Sequence, residues 1–291
     1  MRQLLAITLI SWLFCPLSAL AWWETGHQTV GRLALAHLTP AARIRLARIF
    51  DLPENSPGLE DAVVRASIWA DDTKNDTKTG EWHYIDLALQ DERTDFSLRC
   101  KNNDCITARI RIFAQQLSTR SADSKWSQLD AVRFLLHFVG DVHQPLHAVS
   151  DADLGGNCEL LESPIGTVKN LHALWDGGIV NAMDVDDKTL AAQLEAEIKK
   201  FGPSELSEMA GGNADDWAWE SHELALKNVY GRLHIPTEPV EFPARCSDAP
   251  GEIRDFKPQI DSLYIDDMKP IVRSQLMKAG LRLARLLNES L

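Results

Sequence analysis

The sequence predicts a mainly α-helical fold in a single domain, with a small β-hairpin and long loops tethered by disulfides. Apolar residues recur at helical spacing in several stretches of the chain, whereas the alternating patterns typical of strands are rare. No internal repeat and no linker divides the 291 residues. One core built mainly from helices is therefore expected.

The first 21 residues have the pattern of an export signal. Arg2 supplies a positive start, residues 4–14 form an apolar run, and Ala19-Leu20-Ala21 is a small-x-small cleavage motif. The run is too short to cross a bilayer as an ordinary helix, which disfavours the alternative of an uncleaved anchor. The sequence therefore predicts cleavage directly before Trp22, a mature domain over residues 22–291, and a secreted or periplasmic protein without membrane attachment after processing.

Helices are predicted from apolar stripes and from start signals. Thr39-Pro40 combines an N-cap with a proline at the first helical position, and it opens a helix to about Phe50. Ser56-Pro57 repeats that signal before a segment that ends near Trp69. The stripes themselves are Val30, Leu33, Ala34 and Leu38; Ile106, Ile110, Phe113 and Leu117; Val132, Leu135, Leu136 and Val139; and Val272, Leu276, Ala279, Leu283 and Leu286.

Strand signals are few, and the longest loop is rich in proline. Residues 155–169 are compatible with a small hairpin. Residues 235–262 contain five prolines, which predict a long irregular loop. Loops of this length tend to be functional or disordered.

Four cysteines remain after removal of the export signal, and an even number in an exported chain predicts two disulfides. Three pairings are possible. We favour Cys100–Cys105, which closes a short local loop, together with Cys158–Cys246, which would tether the proline-rich loop. A zinc knuckle made of cysteines is disfavoured because paired C-x-x-C spacing is absent.

The chain is acidic, with a formal net charge of −12 that becomes −13 once Arg2 is removed. Such a protein is a poor candidate for holding polyanions through lysine patches. Any phosphate chemistry would need its positive charge from another source.

Histidine and aspartate recur in a pattern that suits metal binding. His137 and Asp141 lie about one turn apart on one helical face, and His172 and Asp176 repeat the arrangement. A single pair of this kind is more often structural. Here, further candidates accompany the pairs: Asp71 and His83 stand upstream, and His147 follows shortly after the first pair. Buried imidazoles and carboxylates are costly without cations, and together they are a ligand set for zinc.

In these residues the chain resembles the zinc-dependent, single-strand-specific nucleases of fungi, plants and bacteria, which share a fold with the zinc-dependent phospholipases C. The resemblance covers essentially the whole mature chain, and it implies a zinc-dependent nuclease domain with that helical fold. The residues that carry it are Trp22 with Gly26-His27, Trp69-Ala70-Asp71, Trp82-His83, His137-x-x-x-Asp141, His147 and Asn170-Leu171-His172-x-x-x-Asp176.

The resemblance implies three zinc ions. The first would be held by Asp71, His83, His137 and Asp141. The second would be held by His147, His172 and Asp176. The third would use His27, Asp141 as a bridge, and the free amine and carbonyl of Trp22. An α-amino group has a pKa of about 7.7–8.0, so it is available as a ligand near neutral pH.

The resemblance also implies hydrolysis of single-stranded DNA and RNA to 5′-phosphorylated products, often with 3′-nucleotidase activity. Asp71 and Asp141 are expected to be catalytic, because the metals they hold would lower the pKa of the attacking water. Lys74, where the family commonly has arginine, is also expected to be catalytic, because it would bind phosphate as a point charge. The alternative for Lys74 is an ordinary solvated lysine.

Tyr84 and Asp86 stand where the family has base-binding residues. An aromatic face stacks on any unpaired base, whereas a packed core tyrosine is the alternative. Gly177 replaces an asparagine that several members carry, so a substrate hydrogen bond is expected to be missing.

Two other functions remain open. A phospholipase C on the same scaffold usually has glutamate in place of Asp176 and a longer gap between the first Trp and His, so both details favour a nuclease. A secreted metal-binding protein without turnover would have closed ligand shells. Nothing in the sequence demands an oligomer, and a monomer is expected.

Overall fold

Short helices in the first third of the chain carry the earliest site residues. The computed structural model describes residues 22–121, 125–237 and 243–291. The export signal, residues 1–21, lies outside the described residues. The first four helices are α1 (Glu24–Ala36), α2 (Pro40–Ile49), α3 (Leu59–Ala66) and α4 (Trp69–Thr77).

The start signal of α2 is confirmed, whereas that of α3 acts differently. The Thr39 hydroxyl accepts the Ala42 N–H, and Pro40 opens the helix. The Ser56 hydroxyl instead accepts the Gly58 N–H, which closes a turn, so α3 begins two residues after Pro57. The predicted segment to Trp69 is also broken, because α3 ends at Ala66 and a new helix begins at Trp69. This break leaves main-chain groups near Ser67 available to other partners.

Helices α5 (Phe96–Arg99), α6 (Ile106–Thr119) and α7 (Gln128–Asp141) follow, and α6 packs against α7 as their apolar stripes predict. Ser127 and Asp130 form a capping box at the start of α7. Phe134 stacks on Phe113 of α6 with ring centroids 4.7 Å apart. The last eight residues of α7 are all buried, so its carboxyl-terminal end carries polar ligands deep inside the core.

The predicted hairpin is confirmed by the antiparallel strands β1 (Leu160–Ile165) and β2 (Val168–Asn170). The Asn170 side chain then accepts the Ala173 N–H and caps α8 (Leu171–Ala173). This helix continues into a π-helical turn, Leu174–Gly178, and α9 (Ile179–Asn181). The helix predicted around His172 and Asp176 is therefore short and locally widened.

The remaining helices build the carboxyl-terminal half: α10 (Asp187–Ile198), α11 (Pro203–Met209), α12 (Ala214–Ala225), α13 (Gly231–Leu233), α14 (Gly251–Arg254) and α15 (Ser262–Ser290). The long α15 packs against α1, where Gly280 permits close approach: a Cβ there would lie 2.5 Å from the Leu33 Cβ. A π-helical turn, Leu226–Tyr230, joins α12 to α13. The mainly helical fold is confirmed.

Both favoured disulfides are present, Cys100–Cys105 and Cys158–Cys246, with Cα–Cα distances of 5.2 and 5.1 Å. The second ties the start of the hairpin region to the proline-rich loop, whose described part is irregular apart from α14 and a 3₁₀ turn at Cys246–Asp248. Among the described residues, no helix combines the length and apolar character needed to cross a membrane.

Candidate metal centre and substrate pocket

Four predicted ligands meet where α4, α7 and the 3₁₀ turn Gly80–His83 converge. The Nδ1 atom of His83 lies 3.0 Å from Asp141 Oδ2 and 3.6 Å from Asp71 Oδ1. The Nε2 atom of His137 lies 3.2 Å from Asp141 Oδ2 and 3.6 Å from Asp71 Oδ2. Oxygen and nitrogen ligand atoms therefore surround one small space, as a zinc site requires.

Asp141 also faces a second group of ligands. Its other oxygen, Oδ1, lies 3.2 Å from Nε2 of His27, which projects from α1 and stacks on His137 with ring centroids 3.9 Å apart. Trp22 is fully buried beside them, and its indole N–H donates to the Gly140 carbonyl at 2.8 Å. The two oxygens of Asp141 thus point to two different sets of histidines, which is the arrangement of a bridging carboxylate.

His147, His172 and Asp176 form the third group. His147 lies in the 3₁₀ turn Pro145–Ala148, and the other two lie on α8 and the π-helical turn that continues it. Nε2 of His147 is 3.5 Å from Asp176 Oδ1, and Nε2 of His172 is 3.3 Å from Asp176 Oδ2. All nine predicted ligand residues therefore lie in or beside three neighbouring groups.

Main-chain carbonyls orient three of the imidazoles through Nδ1. His137 bonds to the Ser67 carbonyl at 2.7 Å, and His147 bonds to the His83 carbonyl at 2.8 Å. His172 bonds to the Gly155 carbonyl at 2.6 Å. A carbonyl only accepts, so each Nδ1 carries a proton and each Nε2 is the nitrogen that faces its cluster, where it can bind a metal once it is deprotonated. This is the outer arrangement expected around metal-bound histidines.

Gln144 is a site residue that the sequence did not reveal. Its amide donates to Asp176 Oδ1 at 2.5 Å, and its carbonyl accepts the Leu146 N–H at 2.6 Å. The Gln144 side chain is fully buried. In the sequence it lies between two predicted ligands, Asp141 and His147. Its position three residues after Asp141 was the one signal in the sequence that could have pointed to a role at the site.

Burial and charge set the protonation states of the clusters. Burial lowers the pKa of His83 to about 4 and also lowers that of His27. Burial opposes ionisation of Asp141 too, but His137 and the neighbouring imidazoles hold its pKa well below the ordinary value. Burial would lower the pKa of His137, yet Asp141 and Asp71 raise it to about 10. A proton on His137 and a metal ion balance the same negative charge, so metal binding would release that proton.

Several buried ligand atoms have no hydrogen-bond partner in the described part of the chain: His27 Nδ1 and Nε2, His83 Nε2, Asp141 Oδ1, His147 Nε2 and Asp176 Oδ2. Leaving buried polar atoms unpaired is costly, and four of these atoms face an opposite group: His27 Nε2 faces Asp141 Oδ1, His147 Nε2 faces Asp176, and Asp176 Oδ2 faces His172. The residues present therefore fit zinc ions at these positions.

A cavity of about 410 Å³ opens onto the first ligand group, at Asp71 and His83, and onto the third, at His147 and His172. Asp71, His83, His147 and His172 line its floor. The predicted substrate residues Lys74, Tyr84 and Asp86 line it as well, together with Glu81, Leu154, Asn157 and Ala244, which the sequence did not single out. Ligand groups and the proposed substrate contacts therefore share one space.

The structure distinguishes the alternatives for two of these residues. The Lys74 side chain is only 13% exposed and its Nζ lies 2.9 Å from Asp71 Oδ1, so it is not an ordinary solvated lysine. Tyr84 is 37% exposed and lines the cavity, so it is not a packed core tyrosine. Burial, assisted by Asp153, raises the pKa of Asp86 to about 7, so near neutral pH its carboxyl can either donate or accept a hydrogen bond.

A family model described as S1/P1 Nuclease matches residues 22–291. The chain belongs to the S1/P1 nuclease family. The predicted family is thereby confirmed, and the chain is a hydrolase that acts on phosphodiester bonds.

Similar S1/P1 relatives come from plants and fungi. The chain is 27% identical to Endonuclease 3 of Arabidopsis thaliana over 288 residues, which cover 93% of this chain and 89% of that protein. It is 26% identical to Nuclease P1 of Penicillium citrinum, with 92% and 97% of the two chains covered. It is 27% identical to Nuclease S1 of Aspergillus oryzae, with 92% and 91% covered.

Proposed function

We propose that this S1/P1 nuclease uses three zinc ions to cut single-stranded DNA and RNA into 5′-phosphorylated products, with 3′-nucleotidase activity in the same pocket. The observation that carries the zinc arrangement is the double-faced carboxylate of Asp141, which directs one oxygen to His27 and the other to His83 and His137. The family to which the chain belongs supports the substrates and the products.

The ligand assignment follows the three groups. One zinc ion would be held by Asp71, His83, His137 and Asp141; another by His147, His172 and Asp176; and the third by His27, Asp141 and the backbone of Trp22. When bound, the ions would supply the positive charge that attracts phosphate and would lower the pKa of a water molecule towards neutral. This resolves the conflict between an acidic chain and a polyanionic substrate.

The protein's own residues then hold and orient the substrate. Lys74 lines the cavity beside Asp71, where its ammonium would contact a phosphate oxygen. Tyr84 offers a half-exposed ring on which an unpaired base would stack, and Asp86 lies two residues further along the same wall. A base that is paired within a duplex cannot reach such a ring without unstacking, which favours single strands.

We also propose export, cleavage directly before Trp22 and action as a monomer in an oxidising compartment. Two disulfides support such a compartment. Cleavage at this position would free the amine that completes the third zinc site, so maturation would activate the enzyme. Adding one glycine before Trp22 should lower the zinc content from three ions to two and remove most activity.

The decisive experiment compares Asp71→Asn with Asp72→Asn, its exposed neighbour on α4. Purified mature protein is incubated with single-stranded DNA, duplex DNA, RNA, a 3′-nucleotide and phosphatidylcholine, with and without chelator, and its zinc is counted. We expect Asp71→Asn to lose zinc and more than about 100-fold in turnover, and Asp72→Asn to keep both. Activity that resists chelator, or turnover of lipid alone, would refute the proposed function.

A further inference from the structure

Trp23 and Gly177 are in direct contact beside the metal centre. Each immediately follows a proposed ligand, Trp23 after Trp22 and Gly177 after Asp176. A Cβ atom on Gly177 would lie 2.1, 2.3 and 2.4 Å from the indole atoms Cδ2, Cε3 and Cγ of Trp23. These distances are far inside van der Waals contact, and an indole ring cannot bend away. Residue 177 must therefore be glycine for as long as the Trp23 ring occupies this place.

The preceding residue is fixed to a different element. The Trp22 indole N–H donates to the Gly140 carbonyl on α7, one residue before Asp141. A Cβ on Gly26 would lie 2.9 Å from the Trp22 Cβ, so α1 also abuts this side chain closely. Trp22 is thus held against α7, and Trp23 against the π-helical turn that carries Asp176.

Backbone bonds to the start of α1 also restrain the amino-terminal pair. The Trp22 carbonyl accepts the His27 N–H at 3.3 Å and the Trp23 carbonyl accepts the Gly26 N–H at 2.9 Å, but Trp23 is an N-cap without a side-chain cap bond. Residues that precede a helix fray unless something ties them down. A backbone ligand also has to be held within about 0.5 Å of its productive position. The contact between Trp23 and Gly177 supplies the restraint on the side that faces the third ligand group.

We propose that Trp23 is a positioning residue: its indole, seated on Gly177, holds the Trp22 backbone at the zinc site that it shares with His27 and Asp141. This inference rests on the proposed role of Trp22 as a ligand. It also accounts for glycine at position 177, because the indole takes the space that a side chain would need.

The test uses Gly177→Asn and Trp23→Ala, alone and combined, in mature protein whose amino terminus is verified as Trp22 by mass spectrometry. Bound zinc is counted by elemental analysis, and its resistance to a chelator is titrated. Each single variant should weaken one of the three zinc ions by about 10–100-fold and leave the other two unchanged. Gly58→Ala and Trp219→Ala, which alter a glycine and a tryptophan outside the three ligand groups, should hold three ions as the native protein does.

The combined variant gives the sharpest result. If Gly177→Asn acts by displacing the indole, it should have no further effect once Trp23 is alanine, so the two effects will not add. Additive losses, or three tightly held ions in Gly177→Asn, would overturn the positioning role. Should Gly177→Asn fail to fold, Trp23→Ala, which introduces no clash, still decides the question by its zinc count. Two ions in the native protein would instead refute the proposed third site itself, a result that can be told apart from failure of the contact.

Discussion

The amide of Gln144 donates to Asp176 and accepts from the Leu146 N–H, so it fixes the carboxylate of a proposed zinc ligand. Outer residues of this kind hold the geometry of the carboxylate without touching the metal. Asp176 would otherwise be free to rotate away from His147 and His172.

Gln144→Ala is therefore expected to weaken zinc binding at the His147, His172 and Asp176 cluster by about 10–100-fold, because an unrestrained carboxylate is a poorer ligand. The measurement is a chelator titration followed by elemental analysis. Gln115→Ala, on the exposed face of α6, is the matched control. Equal zinc retention in the two variants would show that Gln144 has no role at the metal.

The grouping of the predicted ligands could be anticipated from the sequence, whereas their supports could not. His137 and Asp141 are four residues apart, and helical geometry alone places them together. Gln144 carries no such spacing signal, and the contact of Trp23 with Gly177 joins residues that are distant along the chain. Supports of this kind depend on tertiary packing, and a pattern read along one chain does not contain it.

Glu159 gives the protein a pH dependence away from the metal. Burial, with Asp153 and Asp151 nearby, raises its pKa from an ordinary 4.5 to about 8. The folded state therefore favours the protonated form more strongly than the unfolded chain does. Stability from this group is complete below about pH 4.5, falls as the pH rises and is lost once the pH passes about 8.

Glu159→Gln, which cannot ionise, should become more stable relative to the native protein as the pH rises from 6 to 8.5. Urea unfolding of the zinc-loaded proteins at the two pH values measures this difference. Glu162→Gln, an exposed residue of β1 three residues further along the chain, should show no such trend. A difference for Glu159→Gln that stayed constant with pH would contradict the raised pKa.

At the scale of elements, the sequence predicted the long helices well and their ends less well. The apolar stripes of α6, α7 and α15 gave their positions because each buries one broad face. The break between α3 and α4 was missed, since a serine at position 67 does not forbid a helix. That break matters to the site, because the Ser67 carbonyl it leaves available accepts from His137.

The two disulfides should differ in their effect on stability. Cys100 and Cys105 are 5 residues apart, whereas Cys158 and Cys246 are 88 apart. Chain entropy then predicts that replacing a pair by serine lowers the free energy of unfolding, by about 2 kcal/mol for Cys100–Cys105 and by about 4–5 kcal/mol for Cys158–Cys246. Denaturant unfolding measures both. Removal of Cys158–Cys246 should also raise KM, because Ala244, which lines the pocket, lies two residues from Cys246. Equal losses would contradict the entropic account.

At the scale of the whole molecule, the chain is acidic, although the proposed substrate is a polyanion. The net charge is −12, and within the described residues Lys74 is the one lysine or arginine that lines the cavity. Binding of a single strand should therefore involve few phosphate contacts outside the metal centre. Such an enzyme would release its products quickly, as suits degradation.

The predicted consequence is a weak dependence on salt. With one or two phosphates neutralised, KM for a single-stranded oligonucleotide should rise less than about tenfold between about 50 and 200 mM salt. Steady-state kinetics at several salt concentrations measure the slope. A rise of about 1,000-fold would reveal an extended cationic track and refute the expectation.

The carbonyls that orient His137, His147 and His172 belong to the main chain, at Ser67, His83 and Gly155. A point mutation changes a side chain and not the peptide oxygen, so no single substitution removes these hydrogen-bond acceptors directly. They fail only when the backbone itself moves. Catalytic rate in this enzyme should therefore serve as a sensitive gauge of conformational damage, declining on heating or ageing before bulk unfolding becomes visible.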